Sequence, residues 1–177
     1  LTLLETGSWH ATSLAAVAAE AGVSKGVVTY WFADKDALLL AAIERYHERY
    51  AVQFATIVGT PATADERLDM LLLAALPNAE HVRREVMLQA EVLSYVKTRP
   101  EAAAQLAAAY VGFRVATSAL VALGTQEGLI HAPSEGLPDM VHALIDGITL
   151  RIAADPTADV DALRDQVRVH LHKWFTG

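Results

Sequence analysis

The sequence predicts an all-α protein of about nine helices, and three observations carry that prediction. Apolar residues recur at steps of three and four along almost all of the 177 residues, the repeat of amphipathic helices. No stretch alternates convincingly between apolar and polar residues, and no Asn-Gly or Asp-Gly pair is set between two such stretches as a hairpin turn. The chain is alanine-rich and 53% hydrophobic but only 7% aromatic, a composition that favours helix.

The elements follow in order. Residues 1–6 read as the end of a helix stopped by Gly7, so an incomplete N-terminus is expected. Thr12 or Ser13 can cap a second helix reaching about Ala21. Gly22 suits the left-handed conformation of a tight turn. Ser24 can cap a short third helix ending near Phe32, and Asp34 a long fourth one with Asp36 in its first turn. Along that fourth helix Leu39, Ile43, Tyr46, Tyr50, Phe54 and Ile57 form one apolar stripe, and "GTPATA" ends it. Further helices are expected over about 65–76, 78–97 and 101–127, with breaks at Pro77 and Arg99-Pro100. A loop spans Gly128 to Pro138, and Pro138 is placed to open the eighth helix. After "ADPTAD" a ninth carries Leu163, Val167, Leu171 and Trp174 on one stripe.

Composition excludes several classes of function. There is no cysteine, so disulfides, thiolate metal sites and cysteine nucleophiles are out, and a reducing cytoplasm fits. No signal-peptide pattern and no uninterrupted apolar run of roughly 18–20 residues is seen, so no membrane partner is expected. The net charge of −7 does not favour nucleic acid, and residues 1–50 hold four basic side chains against six acidic ones. Any contact with DNA must rest on local geometry.

The stretch "AGVSKGVVTYWFADKDALLLAA" supplies such a geometry. Val17, Ala18 and Val23 have the spacing of a tight helix-turn-helix corner, with Ala18 small enough for close approach. Val28 and Phe32, four apart, share one face of the short helix. If that face packs inward, a rotation of about 100° per residue turns Gly26, Thr29 and Tyr30 outward and leaves Val27 and Trp31 on the flank. Hydroxyls and an indole N–H suit phosphate oxygens and base edges in a major groove. Lys35, and the N–H groups at the helix start near Thr12 and Ser13, can hold phosphates. The same corner also occurs in proteins that never touch DNA, and Tyr30 and Trp31 can instead pack under a neighbouring helix.

These residues resemble the DNA-binding domain of the TetR family of bacterial transcription regulators. The likeness runs through Val17-Ala18, the segment from Ala21 to Gly26, the aromatic pair ending in Phe32, and Asp34-Lys35-Asp36 leading into Leu38-Leu39. The resemblance implies a helix-turn-helix domain over residues 1–45 and a helical ligand-binding and dimerisation domain over 46–177. It implies base or groove contacts from Lys25, Gly26, Val27 and Tyr30, phosphate contacts from Thr12, Thr29, Trp31 and Lys35, and a head core of Val23, Val28 and Phe32. It further implies a homodimer on a double-stranded DNA operator, most often a repressor released by a small-molecule effector. Two departures stand out: Thr29 occupies a position where the family usually carries tyrosine, and the first helix is short.

Within 46–177, Met87, Glu91 and Tyr95 are spaced by four, and Tyr110, Phe113, Arg114 and Thr117 mix aromatic and polar groups. Such sets can wall a pocket between helices, where the resemblance places an effector cavity; core or surface roles are the alternatives. Val141, Leu144, Ile145, Ile148 and Ile152, with Leu163, Val167, Leu171 and Trp174, are the expected dimer surface, paired with their mates as four helices. The alternative is burial within one subunit. The stretch Asp139–Pro156 is similar to the choline-responsive betaine-pathway repressors. No catalytic, metal or cofactor residues are implied: there is no phosphate loop, HExxH pattern or nucleophile elbow, and His170 and His172, two apart, face different ways. His142 and Asp146 are four apart and can meet, which reads as structural. A helical ligand-binding or interaction protein with a head that does not bind DNA is the alternative function.

Overall fold

The computed structural model describes residues 12–97, 99–131 and 133–176, with the backbone alone at Thr176, and contains eight helices among them. The expected helix over residues 1–6 and its stop at Gly7 lie outside the described residues. The helices are α1 (Leu14–Glu20), α2 (Lys25–Trp31), α3 (Lys35–Gly59), α4 (Ala64–Ala75), α5 (Ala79–Val96), α6 (Pro100–Gln126), α7 (Leu137–Ala154) and α8 (Val160–Thr176).

Local chemistry sets most of the starts. The side chains of Ser13, Ser24, Asp34 and Asn78 accept hydrogen bonds from the backbone N–H three residues on, at 3.1, 3.3, 2.8 and 2.9 Å, which satisfies an otherwise orphaned donor. Thr63 and Glu66 add a reciprocal capping box at α4. Gly22 takes φ 67° in the turn between α1 and α2, where a side chain would be strained. Pro138 is the second residue of α7, one later than expected.

Three apolar clusters hold the larger domain. Leu39, Ile43 and Tyr46 of α3 meet Leu88, Val92 and Tyr95 of α5 and Ala102 of α6. Leu68 and Leu72 of α4 meet Ile130, Leu137, Val141 and, from α8, Val167, Leu171 and Phe175. Leu76, Val82, Ile152 and Val160 close the far end. The head joins this body through α3. The Arg99 guanidinium donates to Asp36 Oδ2 through Nε and Nη2 at 3.1 and 2.7 Å, and lies 4.3 Å over the Tyr95 ring.

Two expectations change. Val23 is 41% exposed rather than in the head core; it sits in the turn itself, its N–H tied to the Ala18 carbonyl at 2.9 Å. Helix α6, with 27 residues, is by length and composition apolar enough to cross a membrane. An uninterrupted apolar run misses it because Gln105, Arg114 and a few hydroxyls are spread among many alanines. Here it packs against α3, α4, α5 and α7 as a domain helix.

Candidate functional site

Two places gather the candidate residues. The first is α2. Val28 is buried and Phe32 half-buried, so this face is the anchoring one, and the helix packs against α1. The opposite side is open: Val27, Tyr30 and Trp31 are 45%, 81% and 73% exposed. The two aromatic rings touch only edge to face, with centroids 5.4 Å apart, so neither packs under a neighbouring helix. Among the described residues, an added Cβ at Gly26 would meet only Ser24 Oγ, at 3.6 Å, so none of them demands glycine there. Lys25 is exposed and Thr12 and Lys35 are half-buried, while the exposed Ser13 serves as the cap of α1. Thr29 Oγ donates to the carbonyls of Lys25 and Gly26, both at 3.2 Å. Its hydroxyl proton is thus spent on its own helix, and donation to a phosphate would need another rotamer.

The second place is a cavity of about 160 Å³ between α3, α4, α5, α6 and α7. One wall is aromatic. Phe113 of α6 stands 6.2 Å from Tyr50, 5.6 Å from Phe54 and 6.4 Å from Tyr110, ring centre to ring centre, and 6.0 Å from His142. Tyr46 stacks edge-on to Tyr50 at 5.0 Å. Two carboxylates also line the cavity, Glu85 of α5 and Asp146 of α7.

Their surroundings differ. The Glu85 side chain is only 14% exposed. It accepts a 2.7 Å hydrogen bond from Tyr50 Oη, an ion pair from Arg49 at 3.1 Å, and lies 3.8 Å from His81 Nε2. Burial, with the nearby Glu85 charge, pushes the Tyr50 phenol above its usual range. Asp146 stands at the solvent-facing rim and makes no ion pair among the described residues. Burial of its inner side raises its carboxyl above the usual range, an effect that His142 opposes. His142 Nε2 lies 2.7 Å from Thr117 Oγ. Burial lowers its basicity, against the pull of Asp146 and Asp139. Burial lowers that of His47 as well, so both imidazoles favour the neutral form inside the cavity.

Of the residues expected to line a pocket, Tyr110, Phe113 and Thr117 do. Met87, Glu91, Tyr95 and Arg114 do not. Met87 is 56% exposed, Tyr95 is buried in the core at 4%, and Arg114 faces outward, 3.7 Å from Asp139. The reason is geometric: a strict four-residue step drifts about 40° around a helix each time. The row Met87, Glu91, Tyr95 therefore spirals from solvent into the core. The cavity takes the neighbouring row, Val82, Glu85, Val86 and Gln89. A glutamate and a glutamine interrupting an apolar row was the signal to follow. Tyr46, Tyr50 and Phe54, expected only as part of the apolar stripe of α3, also line the cavity, as do His142 and Asp146, expected as a structural pair.

The expected dimer residues also need correction. Val141, Ile152, Val167 and Leu171 are 4%, 0%, 3% and 0% exposed within one subunit. Leu144, Ile145, Ile148 and Leu163 are half-buried against the same clusters. The richest apolar stripe is the intrachain core, because a helix turns its strongest face inward. Trp174, 47% exposed, stays available. The opposite face of α7 carries Met140 (55% exposed), Ala143, Gly147 and Leu150 (61% exposed), and an added Cβ at Gly147 would meet nothing within 4 Å.

Known proteins resemble this chain along nearly its whole length. Residues 1–42 match the family of bacterial regulatory proteins of the tetR type, and residues 64–176 match the BetI-type transcriptional repressor C-terminal family. The HTH-type transcriptional regulator PksA of Bacillus subtilis (strain 168) is 23% identical over 172 residues, 96% of this chain and 82% of PksA. A protein of Saccharomonospora viridis, named as a transcriptional regulator and solved in complex with choline, superposes with a TM-score of 0.82 at 23% identity, covering 96% of this chain and 89% of that one. The transcriptional regulator FadR of Bacillus subtilis, in complex with stearoyl-CoA, superposes with a TM-score of 0.69 at 18% identity, covering 97% and 92%. At such identities the superpositions speak to the fold alone.

Proposed function

This chain belongs to the TetR family of bacterial transcriptional regulators, with a C-terminal part of the BetI type, and from that premise we propose that it is a homodimeric repressor released from its operator by a small organic cation. The observation that carries the reading is the two-sided form of the subunit. A short helix offers its aromatic face to solvent at one end, and an aromatic, acidic cavity lies in the body.

On DNA, α2 enters a major groove. Gly26 allows the backbone close, Lys25, Val27 and Tyr30 face the groove, and Trp31, Lys35 and the start of α1 at Thr12 and Ser13 meet phosphates. Two heads in one dimer read half-sites about one helical turn, or a small multiple of it, apart. The dimer forms through Met140, Ala143, Gly147 and Leu150 of α7 with Trp174 of α8, paired with their mates. This is the side of α7 opposite its buried stripe.

The cavity supports a compact cationic effector. Aromatic faces attract cations, above all when water is excluded, and two carboxylates lie beside them. The choline found in the Saccharomonospora viridis neighbour is of this class. A cavity of about 160 Å³ falls below the ~300–1,000 Å³ of drug-sized sites, which favours such a ligand over a long acyl chain. Release follows from differential affinity: the effector binds better to a state whose heads are wrongly spaced.

An anisotropy titration with DNA flanking the protein's own gene tests the reading. Specific, salt-sensitive binding by the full-length dimer is expected. Effector binding without any DNA binding would establish the alternative, a ligand-binding protein with a silent head.

A further inference from the structure

The cavity has two carboxylates, and they are not equivalent. Glu85 is already partnered: Tyr50 donates to one of its oxygens at 2.7 Å and Arg49 pairs with the other at 3.1 Å. The Arg49 guanidinium also lies 5.6 and 5.5 Å over the Tyr46 and Tyr50 rings, so those rings already hold a cation on one side. A ligand cation beside Glu85 would compete with Arg49 for a charge already neutralised. Asp146 has no such partner among the described residues. The nearest ionisable group on its own helix is His142, which burial keeps toward the neutral form. Across the cavity Asp146 is felt by Tyr110, whose phenol is raised by burial and by the Asp146 charge. Tyr110 in turn stands 6.4 Å from Phe113. The unneutralised anion therefore sits where the aromatic wall of α6 meets α7.

We propose that Asp146 is the residue that selects for a positive charge in this cavity, while Glu85 serves to position Tyr50 and Arg49. This deepens, and rests on, the cationic-effector reading above. The cation's charge lies between the Asp146 carboxylate and the ring of Tyr110, and its apolar body packs toward Phe113. Without a ligand, Asp146 is a rim carboxylate beside apolar surface, with no ion-pair partner among the described residues. A cation arriving there gains a Coulomb partner and relieves that cost. Removing the charge should therefore remove the preference for cations and keep the room for an apolar body.

The test is calorimetric titration of the full-length protein with choline and with its neutral isostere, 3,3-dimethylbutan-1-ol. The unmodified protein is expected to bind choline at least about tenfold more tightly than the isostere. Asp146→Asn should reduce that ratio to near unity by weakening choline alone. Glu85→Gln should weaken both ligands by a similar factor and leave the ratio in place. A ratio that survives in Asp146→Asn and collapses in Glu85→Gln overturns the assignment while the cationic reading stands. A ratio near unity in the unmodified protein overturns both.

A second measurement needs no substitution. Choline's charge does not titrate, so the pH dependence of the ratio reports the protein. The groups facing the site are Asp146 and His142 on α7, Tyr110 on α6, Tyr46, His47 and Tyr50 on α3, and Glu85 on α5, with Asp139 and Arg114 behind His142. Acidification protonates Asp146 above the usual aspartate range and charges His142 and His47 below the usual histidine range. All three changes disfavour a cation, so the ratio should fall with falling pH while isostere affinity stays flat. In Asp146→Asn the carboxylate's share of that change is gone, so the ratio, already near unity, should fall less over the same pH range. A fall as large as in the unmodified protein would overturn the proposal.

Discussion

Gly124 and Gly147 are both helical glycines, and their surroundings give them opposite meanings. A Cβ added at Gly124 would lie 2.9 Å from Ile130 Cδ1 and 3.0 Å from its Cγ1. Ile130 is buried at 5% in the cluster joining α4, α7 and α8. Gly124→Ala should therefore destabilise the subunit by about 1–2 kcal/mol, the ordinary penalty of overpacking, read as a lower midpoint in urea. A gain in stability, as helix propensity alone would give, would contradict that packing. The caps were legible one residue at a time, because Ser13, Ser24, Asp34 and Asn78 each act on a backbone N–H three positions away. The use of Glu85 is legible only in part: its place in an apolar row is a local signal, but its 2.7 Å bond to Tyr50, 35 residues earlier, leaves no local pattern.

Helices repeat this division. Period and caps predicted their extents closely, since both are local. Which face of α5 and α7 turns inward is decided by their neighbours. On α7, two apolar stripes lie on opposite sides, and the stronger one, through Val141 and Ile152, goes to the core. The weaker one, through Met140, Gly147 and Leu150, stays exposed and is the face proposed above for the dimer. Gly147→Ala tests this: helix propensity favours alanine by up to about 1 kcal/mol, and none of the described residues opposes it. The variant should fold at least as well yet dissociate at higher concentration in sedimentation analysis. An unaltered dimer would move the interface elsewhere. On α2, Lys35→Ala should weaken binding to all DNA sequences alike, whereas Tyr30→Ala should alter preference among them. A uniform loss in Tyr30→Ala would remove Tyr30 from base reading.

For the whole molecule, the question is how the cavity reaches the head. The α5 that carries Glu85 and Gln89 into the cavity continues to Tyr95, and Arg99 follows it to grip Asp36 in the first turn of α3. Lys35 is the neighbouring residue. Arg99→Gln should leave effector affinity nearly unchanged and reduce the effector's influence on DNA affinity, measured by titrating each ligand with and without the other. Full coupling in that variant would place the connection elsewhere. On the proposal above, one dimer binds DNA through α2 and lets go when a cation fills the cavity. The most direct measurement is fluorescence anisotropy of labelled DNA from beside the protein's own gene, bound by the full-length dimer and titrated with choline. The expected result is salt-sensitive, sequence-specific binding that choline reverses and 3,3-dimethylbutan-1-ol at equal concentration does not. Specific binding indifferent to every organic cation tried, or no specific binding at all, would contradict it.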